Sequence, residues 1–366
     1  MKIVLAIDSF KGCLTSVEAN QAAAEGIRAV RPDAEVVQVP VSDGGEGFLE
    51  AFHAALGGEM VIIGVRDPLM RRISARYLLK GDTAVIEMAQ ACGLTLLSAD
   101  ERNPLLATSY GVGQLIADAV RRGVSHIIVG LGGSATSDAG TGMLRALIDA
   151  FAPHGTWDDV QALPCSPLLR REGVGGGGEK VRFTIASDVQ NPLCGANGAA
   201  HVFAPQKGAT PEMVSRLDAR ARRFAEVSAR HFGYDRSQQP GAGAAGGLGY
   251  AFLQYLDADC QPGIRLLLDA LHFRELISDA TLIITGEGAA DRQTLMGKLP
   301  MGILQQSHGI PVALIAGRIS DRDRLLRAGF AKVKCINPAG LPQEVAMQSS
   351  IACRNIAETV SQLLFP

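Results

Sequence analysis

The stretch from Ile127 to Met143 contains the residues best suited to chemistry in this sequence of 366 residues. It reads IIVGLGGSATSDAGTGM and passes from three branched apolar residues to Gly130, Gly132 and Gly133. A short apolar run of this kind is typical of a buried parallel strand. A glycine-rich turn between a strand and a helix exposes unpaired N–H groups and the positive end of a helix dipole, which together favour phosphate. The loop therefore predicts a phosphate site.

Polar side chains follow these glycines. Ser134, Thr136 and Asp138 stand where we expect a helix to begin, at about Thr136, and Met143 and Leu147 give that helix an apolar face. A turn that only connects two elements does not need such hydroxyl and carboxylate groups. Glycine turns after strands are nevertheless common in α/β proteins that bind nothing there, so a purely structural turn is the alternative.

Two similar clusters follow strands near the start of the chain. Residues 8–12 (DSFKG) end the first predicted strand, and there Lys11 and Ser9 would bind a carboxylate or phosphate. Residues 42–47 (SDGGEG) end the second, and its two acids among glycines suit Mg²⁺, for which Asp43 is our candidate. For the first cluster the alternative is a lysine that lies in a solvated loop. For the second it is acids that only stabilise a helix N-terminus.

Two further clusters lie later in the chain. Asp188 follows the apolar run Val181 to Ile185, which makes it a candidate metal ligand or general base. Asp291 belongs to a cluster that runs from Thr285 to Lys298. Gly297-Lys298 is not part of a Walker A loop, because Arg292 and Leu299 stand where that loop needs Gly and Ser or Thr.

Gly241, Gly243 and Gly246 match G-x-G-x-x-G, but the preceding residues 235–239 are polar and not a strand. The context of a dinucleotide site is therefore missing, and we do not expect a nicotinamide cofactor.

Composition narrows the class of protein. A length of 366 residues suggests two domains, and 47% hydrophobic residues suffice for sizeable cores. The net charge of −2 provides no basic field for nucleic acid, so we expect no nucleic-acid partner. We find neither a stretch that would span a membrane nor a signal peptide. Seven cysteines without a CxxC pair indicate reduced thiols and a cytoplasmic protein. A homodimer remains open.

The order of predicted elements indicates an α/β fold with two domains. Strands alternate with helices in the first sixty residues, where Thr15 and Glu18 predict a capping box, and again in the last ninety. Lys80-Gly81-Asp82 predicts a hairpin turn between two strands in the middle. We therefore expect a Rossmann-like, doubly wound parallel sheet domain built from both chain ends, residues 1–66 plus 278–366. Residues 67–277 would form an inserted α/β domain with a mixed sheet that carries the phosphate loop.

These features together favour phosphoryl transfer. Acids, hydroxyls, glycines and lysines gather at predicted strand ends, where ligands of doubly wound sheets bind. Phosphoryl transfer needs donors around the phosphates, Mg²⁺ and a positioned acceptor, and little covalent help from the protein.

The chain resembles the bacterial glycerate kinases that phosphorylate D-glycerate. The matching stretches span nearly the whole chain in order: residues 8–16 (DSFKGCLTS), 42–47 (SDGGEG), 103–113 (NPLLATSYGVG), 130–143, 187–198 (SDVQNPLCGANG), 203–208 (FAPQKG), 241–249 (GAGAAGGLG) and 285–298. The resemblance implies a two-domain enzyme that transfers the γ-phosphoryl group of ATP to glycerate, at O2, giving 2-phosphoglycerate and ADP.

From the resemblance and the strand-end placement together we expect the following roles. Residues 130–136 would bind the ATP phosphates, through Gly130, Gly132, Gly133, Ser134 and Thr136. Lys11 and Ser9 would orient the glycerate carboxylate, with Ser42 and Asp43 nearby. Asp43 and Asp138 would hold Mg²⁺. Asp188 would accept the hydroxyl proton, with Asp291 as the rival base.

The chain departs from the family pattern after GEG, where the family has a basic and then an apolar residue. Here Ala289 and Ala290 stand instead, and Arg292 replaces the usual Ser. The loss of a basic residue at position 289 would weaken contacts with nucleotide or substrate. Residues 151–180 do not resemble the family and suggest a divergent surface loop, whose glycine run at 173–178 is flexible.

Two alternatives stay open. The GLGGSAT loop is similar in style to that of the galactokinase and homoserine kinase superfamily, so the substrate would be another small hydroxy acid or polyol; phosphorylation at O3 of glycerate also stays open. The second alternative is a non-catalytic protein that senses nucleotide or carboxylate by binding it. The many acids argue against it, because a plain binder of two anions would avoid so much negative charge.

Overall fold

The computed structural model describes residues 1–42, 45, 47–151, 181–292 and 294–364. The chain forms two compact units, of which the first comprises residues 1–43, 50–56 and 264–366 and the second residues 44–49 and 57–263. Each unit contains one sheet with helices, so the predicted α/β class is confirmed. None of the helices in the described part of the chain combines the length and the apolar character that a bilayer crossing requires.

The strands are, in chain order, β1 (Lys2–Ile7), β2 (Glu35–Gln38), β3 (Glu59–Arg66), β4 (Arg72–Lys80), β5 (Thr83–Glu87), β6 (His126–Gly130), β7 (Arg182–Ala186), β8 (Asp259–Gln261), β9 (Leu282–Ala290), β10 (Val312–Ile319) and β11 (Lys332–Cys335).

The α-helices of the described residues are α1 (Ser16–Val30), α2 (Phe48–Leu56), α3 (Ala89–Cys92), α4 (Tyr110–Arg121), α5 (Thr141–Phe151), α6 (Ala199–Phe203), α7 (Pro211–Phe232), α8 (Ala244–Leu256), α9 (Gly263–Ala270), α10 (Phe273–Leu276), α11 (Leu299–Gln306), α12 (Arg322–Arg327), α13 (Gln343–Ala346) and α14 (Ser349–Leu363).

The sheet of the first unit has the order β11-β10-β9-β1-β2, and all its neighbouring strands are parallel. Both chain ends supply strands to it, as the sequence predicts. Helix α1 begins with the predicted capping box, in which the Glu18 N–H donates to Thr15 Oγ1 and the Thr15 N–H donates to Glu18 Oε2. A Cβ at Gly26 would lie 2.2 Å from the carbonyl oxygen of Ala357, so glycine lets α1 pack closely on α14.

The sheet of the second unit has the order β3-β4-β5-β6-β7-β8. Strands β3, β4 and β5 pair antiparallel, and the hairpin predicted at Lys80-Gly81-Asp82 is confirmed by the pairing of Lys80 with Thr83. Strands β5 to β8 are parallel, so their carboxyl ends lie at one edge of the sheet. Helices α4, α5 and α8 contribute to the buried core of this unit.

The two units divide the chain at slightly different points from those expected. Residues 57–66 belong with the second unit because β3 pairs along its whole length with β4. Residues 264–277 belong with the first unit, where Ile264 packs close to Gly302 of α11. Residues 152–180, which include the glycine run at 173–178, lie outside the described residues, as does Asp43.

Candidate functional site

A cavity of about 670 Å³ lies at the carboxyl ends of the parallel strands of the first unit. The strand register pairs Ile7 of β1 with Gly286 of β9, so Asp8 and Glu287 follow at the same edge and both line the cavity. This is where doubly wound sheets bind their ligands.

Charged side chains of both signs line this cavity. Its lining includes Asp8, Ser9, Lys11, Glu287, Lys298 and Arg318. Asp8 and Glu287 are each 7% exposed. The Ser9 N–H donates to Asp8 Oδ1 over 2.7 Å, and Thr294 Oγ1 donates to Glu287 Oε1 over 2.5 Å. Fixed carboxylates beside three cationic groups suit an anionic ligand with or without a metal ion.

The structure thus brings two of the predicted site residues, Ser9 and Lys11, into one cavity. Ser42 is buried after β2, and neither it nor Asp291 is among the described residues that line this cavity. The Asp291 N–H donates to Thr294 Oγ1 over 3.0 Å. Sequence reasoning gave no role to Asp8 and Glu287, although their position at strand ends was a usable signal.

The glycine-rich loop lies in the second unit, between β6 and α5. The prediction that its helix begins near Thr136 is wrong, since α5 begins at Thr141. Ala139 and Gly140 have left-handed backbone angles, with φ of 54° and 75°, and such residues cannot continue a right-handed helix. The irregular loop is therefore longer than expected.

The carboxylate of Asp138 hydrogen-bonds to the first turn of α5 and to Ser109, the residue that precedes α4. Its Oδ2 accepts hydrogen bonds from the Ser109 N–H and Oγ, both at 2.8 Å, and from the Gly142 N–H at 3.1 Å. Its Oδ1 accepts from the Gly140 N–H at 3.1 Å. Three of these donors share Oδ2 and one reaches Oδ1, so much of the acceptor capacity of the carboxylate is used within the protein. Asp138 therefore satisfies the start of α5 itself, and this geometry favours capping over the predicted metal-binding role.

The N–H groups of the loop differ in whether the protein supplies an acceptor for them. Those of Leu131, Ala135 and Ala139 donate to Ala186, Cys92 and Gly246. Within the described part of the chain, no acceptor receives the N–H groups of five other loop residues. These residues are Gly132, Gly133, Ser134, Thr136 and Ser137. Unsatisfied donors near one another favour an anion, so the phosphate site stays a prediction whose donors would be the amides of the loop rather than a helix end.

Glycine is required where the strand enters the loop. A Cβ at Gly130 would lie 2.6 Å from the ring of Phe48. Gly133 has φ of 74°, in the left-handed region that favours glycine.

Lys207 contacts this loop and was not identified from the sequence. Its Nζ donates to Ser134 Oγ over 2.7 Å and to the Thr136 carbonyl oxygen over 2.6 Å, and the residue is only 2% exposed. Burial lowers the pKa of the Lys207 ammonium to about 8, although the Asp138 carboxylate favours its charged form. Its only signal in the sequence was its place in the FAPQKG stretch.

The segment 241–249 packs against the backbone of the loop. Gly246 and Gly247 have φ of 68° and 90°, and a Cβ at Gly246 would lie 2.0 Å from the Thr136 carbonyl oxygen. A Cβ at Gly247 would lie 2.8 Å from the Cα of Ala139. These glycines therefore allow close contact between two backbone segments, which the weak dinucleotide pattern did not reveal.

Two acids end strands beside the loop. Gly130 of β6 pairs with Ala186 of β7, so Asp188 follows at the same edge of the sheet. Glu87 ends β5 opposite Gly130, is 4% exposed, and accepts a hydrogen bond from the Leu49 N–H over 3.1 Å. Asp188, the predicted base, thus lies in the unit that carries the loop, whereas its rival Asp291 lies in the first unit.

Metal binding requires a suitable donor set. In the described ranges, no group of three or more His, Cys, Asp or Glu side chains could enclose a metal ion. Mg²⁺ commonly needs only one or two carboxylates, with waters and phosphates as its other ligands. Asp8 and Glu287 meet that requirement in chemistry and burial, and the predicted ligand Asp43 lies outside the described residues.

Comparison with known proteins agrees with these observations. The model of the glycerate kinase family matches residues 3–364. The glycerate 2-kinase of Escherichia coli is 42% identical over 88% of this chain and 86% of its own length. The glycerate kinase of Bacillus subtilis is 40% identical over 95% of this chain and 93% of its own.

A solved structure extends this similarity to the fold. The putative glycerate kinase 2 of Salmonella typhimurium superimposes with a TM-score of 0.77 at 37% identity, covering 99% of this chain and 97% of that one. With the family model matching almost every residue, the chain belongs to the glycerate kinase family.

Proposed function

We propose that this protein transfers the γ-phosphoryl group of ATP to O2 of D-glycerate, giving 2-phosphoglycerate and ADP. The observation that carries the proposal is the loop at 132–137 in a chain of this family: five of its N–H groups have no acceptor among the described residues and could bind an anion. The name of the Escherichia coli relative, a glycerate 2-kinase, supports transfer to O2.

The loop would bind the phosphates of ATP. Gly132, Gly133, Ser134 and Thr136 would donate through their N–H groups, and Gly130 would let the strand end close to Phe48. Donors that are already in place stabilise the charge of the transferred group without reorganisation during the reaction.

The glycerate carboxylate would be bound by Lys11 and Ser9, both of which line the cavity of the first unit. A cationic group and a hydroxyl group are suitable partners for a carboxylate. Ser42 and Asp43, which come after β2 in the sequence, stay predictions as further substrate contacts.

A general base would take the proton of the attacking hydroxyl group. Asp188 remains our first candidate because it follows β7 at the edge of the sheet where β6 enters the loop. Asp291 remains the rival.

Mg²⁺ would neutralise charge on the phosphates. Asp8 and Glu287 are the described carboxylates whose position in a charged cavity suits this ion. Asp43 stays a candidate from the sequence, and the four hydrogen bonds of Asp138 make it the weaker one.

Incubation with Mg-ATP and D-glycerate, followed by phosphorus NMR of the product, tests the proposal. We expect the resonance of 2-phosphoglycerate. The 3-phospho isomer would change the regiochemistry, and faster turnover of another hydroxy acid, polyol or sugar would change the substrate. Binding of ATP and glycerate without any turnover would contradict an enzymatic function.

We also propose a cytoplasmic location, on the basis of the free cysteines, and leave a homodimer as a second proposal. Cell fractionation tests the first, and light scattering of the purified protein tests the second.

A further inference from the structure

Lys207 is a buried cation surrounded by neutral partners. Its ammonium contacts the Ser134 hydroxyl and the Thr136 carbonyl oxygen. Among the described residues, no carboxylate lies within ion-pair distance of it. A buried charge without a counter-charge costs free energy, so proteins rarely retain one that has no function.

The contacts of Lys207 show where its counter-charge belongs. Both of its hydrogen bonds go to the segment whose N–H groups at 132–134 and 136–137 have no acceptor in the part of the chain that the structure describes. Within that same part, the Ser137 hydroxyl, 9% exposed, also has no hydrogen-bond partner. A buried ammonium, free amides and a free hydroxyl in one loop all favour the same kind of ligand, an anion with several oxygens.

We infer that Lys207 is a positioning residue for the phosphoryl group: it fixes the loop through Ser134 and Thr136 and supplies the positive charge that the bound phosphate balances. This inference rests on the proposed function and assigns a role within it. Lys207 acts through the loop. Its two hydrogen bonds go to neutral oxygens, so they leave its positive charge unbalanced.

The charge of Lys207 should make ATP binding depend on pH. Burial lowers the pKa of Lys207 to about 8, so the free protein loses this charge in mildly alkaline solution. The titratable groups that act on it are Cys92 and Asp138. Burial raises the pKa of the Cys92 thiol, which keeps that group neutral over this range. Arginine at position 207 would stay charged throughout.

Calorimetric titration of the full chain with Mg-ATP, in the absence of glycerate, tests the inference. We expect K207M to bind roughly 10- to 100-fold more weakly than wild type, because the loop would lose the hydrogen bonds that fix it and the bound phosphate would lose its balancing charge. We expect wild-type affinity to fall between about pH 7.5 and about pH 9.5, and the affinity of K207R to change less over that range. K332M is the matched control, because Lys332 Nζ also donates to a carbonyl oxygen, that of Leu363, in the other unit.

Thermal unfolding without nucleotide separates this role from a structural one. K207M removes an unbalanced buried charge, so we expect its stability to equal or exceed that of wild type. An unchanged ATP affinity in K207M, or the same pH dependence in wild type and K207R, would overturn the inference while glycerate phosphorylation by wild type upholds the proposed function. If wild type neither binds nor consumes ATP, the proposed function fails and this inference with it.

Discussion

Ala289 on β9 pairs with Arg318 on the neighbouring strand β10, and both residues line the cavity of the first unit. The resemblance to the glycerate kinases implies that a basic residue is usual at the position of Ala289. The register therefore places a cationic side chain directly opposite the position where one is missing. Arg318 is long and exposed, so its guanidinium can serve the same cavity from the adjacent strand.

This pairing predicts that Arg318 replaces the missing charge. R318A should lower kcat/KM by roughly tenfold through one exposed charged contact, and the double variant A289K/R318A should recover much of that loss. Steady-state kinetics with each substrate varied in turn would measure both effects. R327A removes an exposed arginine of α12 and should leave kcat/KM unchanged. A single variant with wild-type kinetics would show that position 318 does not contribute.

Lys11 should affect the binding of glycerate. K11A removes a cationic group from the cavity and should raise the KM for glycerate, because a carboxylate would lose its charged partner. K80A, at the exposed hairpin of the second unit, is the control. If both KM and kcat of K11A match those of wild type, Lys11 has no place in the site.

Asp188 should affect turnover rather than binding. D188N keeps the size of the side chain but cannot accept a proton, so kcat should fall roughly 10²–10⁴-fold if Asp188 is the base. Single-turnover kinetics at saturating substrates would measure the effect, with D291N tested in parallel. Near-normal turnover in D188N together with a large loss in D291N would transfer the role to Asp291.

Gly246 should be required for the shape of the phosphate loop. In G246A the new Cβ would meet the Thr136 carbonyl oxygen, and the left-handed backbone adds strain. Gly195 has φ of 96° with nothing within 4 Å of its Cβ position, so G195A carries the strain alone, about 1 kcal/mol. We expect G246A to lose more stability than G195A in urea unfolding and to raise the KM for ATP. Equal losses would indicate that the loop adapts.

Lys207 should produce a specific dependence of stability on pH. Its pKa falls from the ordinary 10.5 to about 8 in the folded protein. Between these values the unfolded chain binds a proton that the folded chain does not, so this group makes the folding free energy more favourable as pH rises from 8 to 10.5. Urea unfolding across this range should show a steeper rise for wild type than for K207M. Parallel curves for the two proteins would contradict the pKa shift.

Local patterns predicted much of this fold. The capping box at Thr15 and the hairpin at Gly81 depend on residues close in sequence, and each strand of the two chain ends has its own apolar run, so the sequence alone predicts these elements. The predicted first domain includes residues 57–66 because nothing local shows that they pair with β4. The predicted start of α5 is too early because the left-handed angle of Ala139 depends on the support of segment 241–249.

The site was predictable where it depends on strand ends and not where it depends on distant contacts. Ser9, Lys11 and the glycines of the loop follow strands, which is a signal in the sequence itself. Lys207 reaches Ser134 across a long separation in the chain, and no spacing rule connects the two residues. Asp138 has a side chain that commonly binds metal ions. The four hydrogen bonds that it accepts within the protein, which favour a capping role, are not visible in the sequence.

The hydrogen bonds of Asp138 join the first turn of α5 to Ser109, the residue that precedes α4. Replacing Asp138 would remove the acceptor of both groups at once, so loss of activity in D138A would reflect a disturbed loop and helix start. Excess magnesium would not rescue such a variant, whereas a substitute with hydrogen-bonding capacity, such as asparagine, would restore part of the architecture.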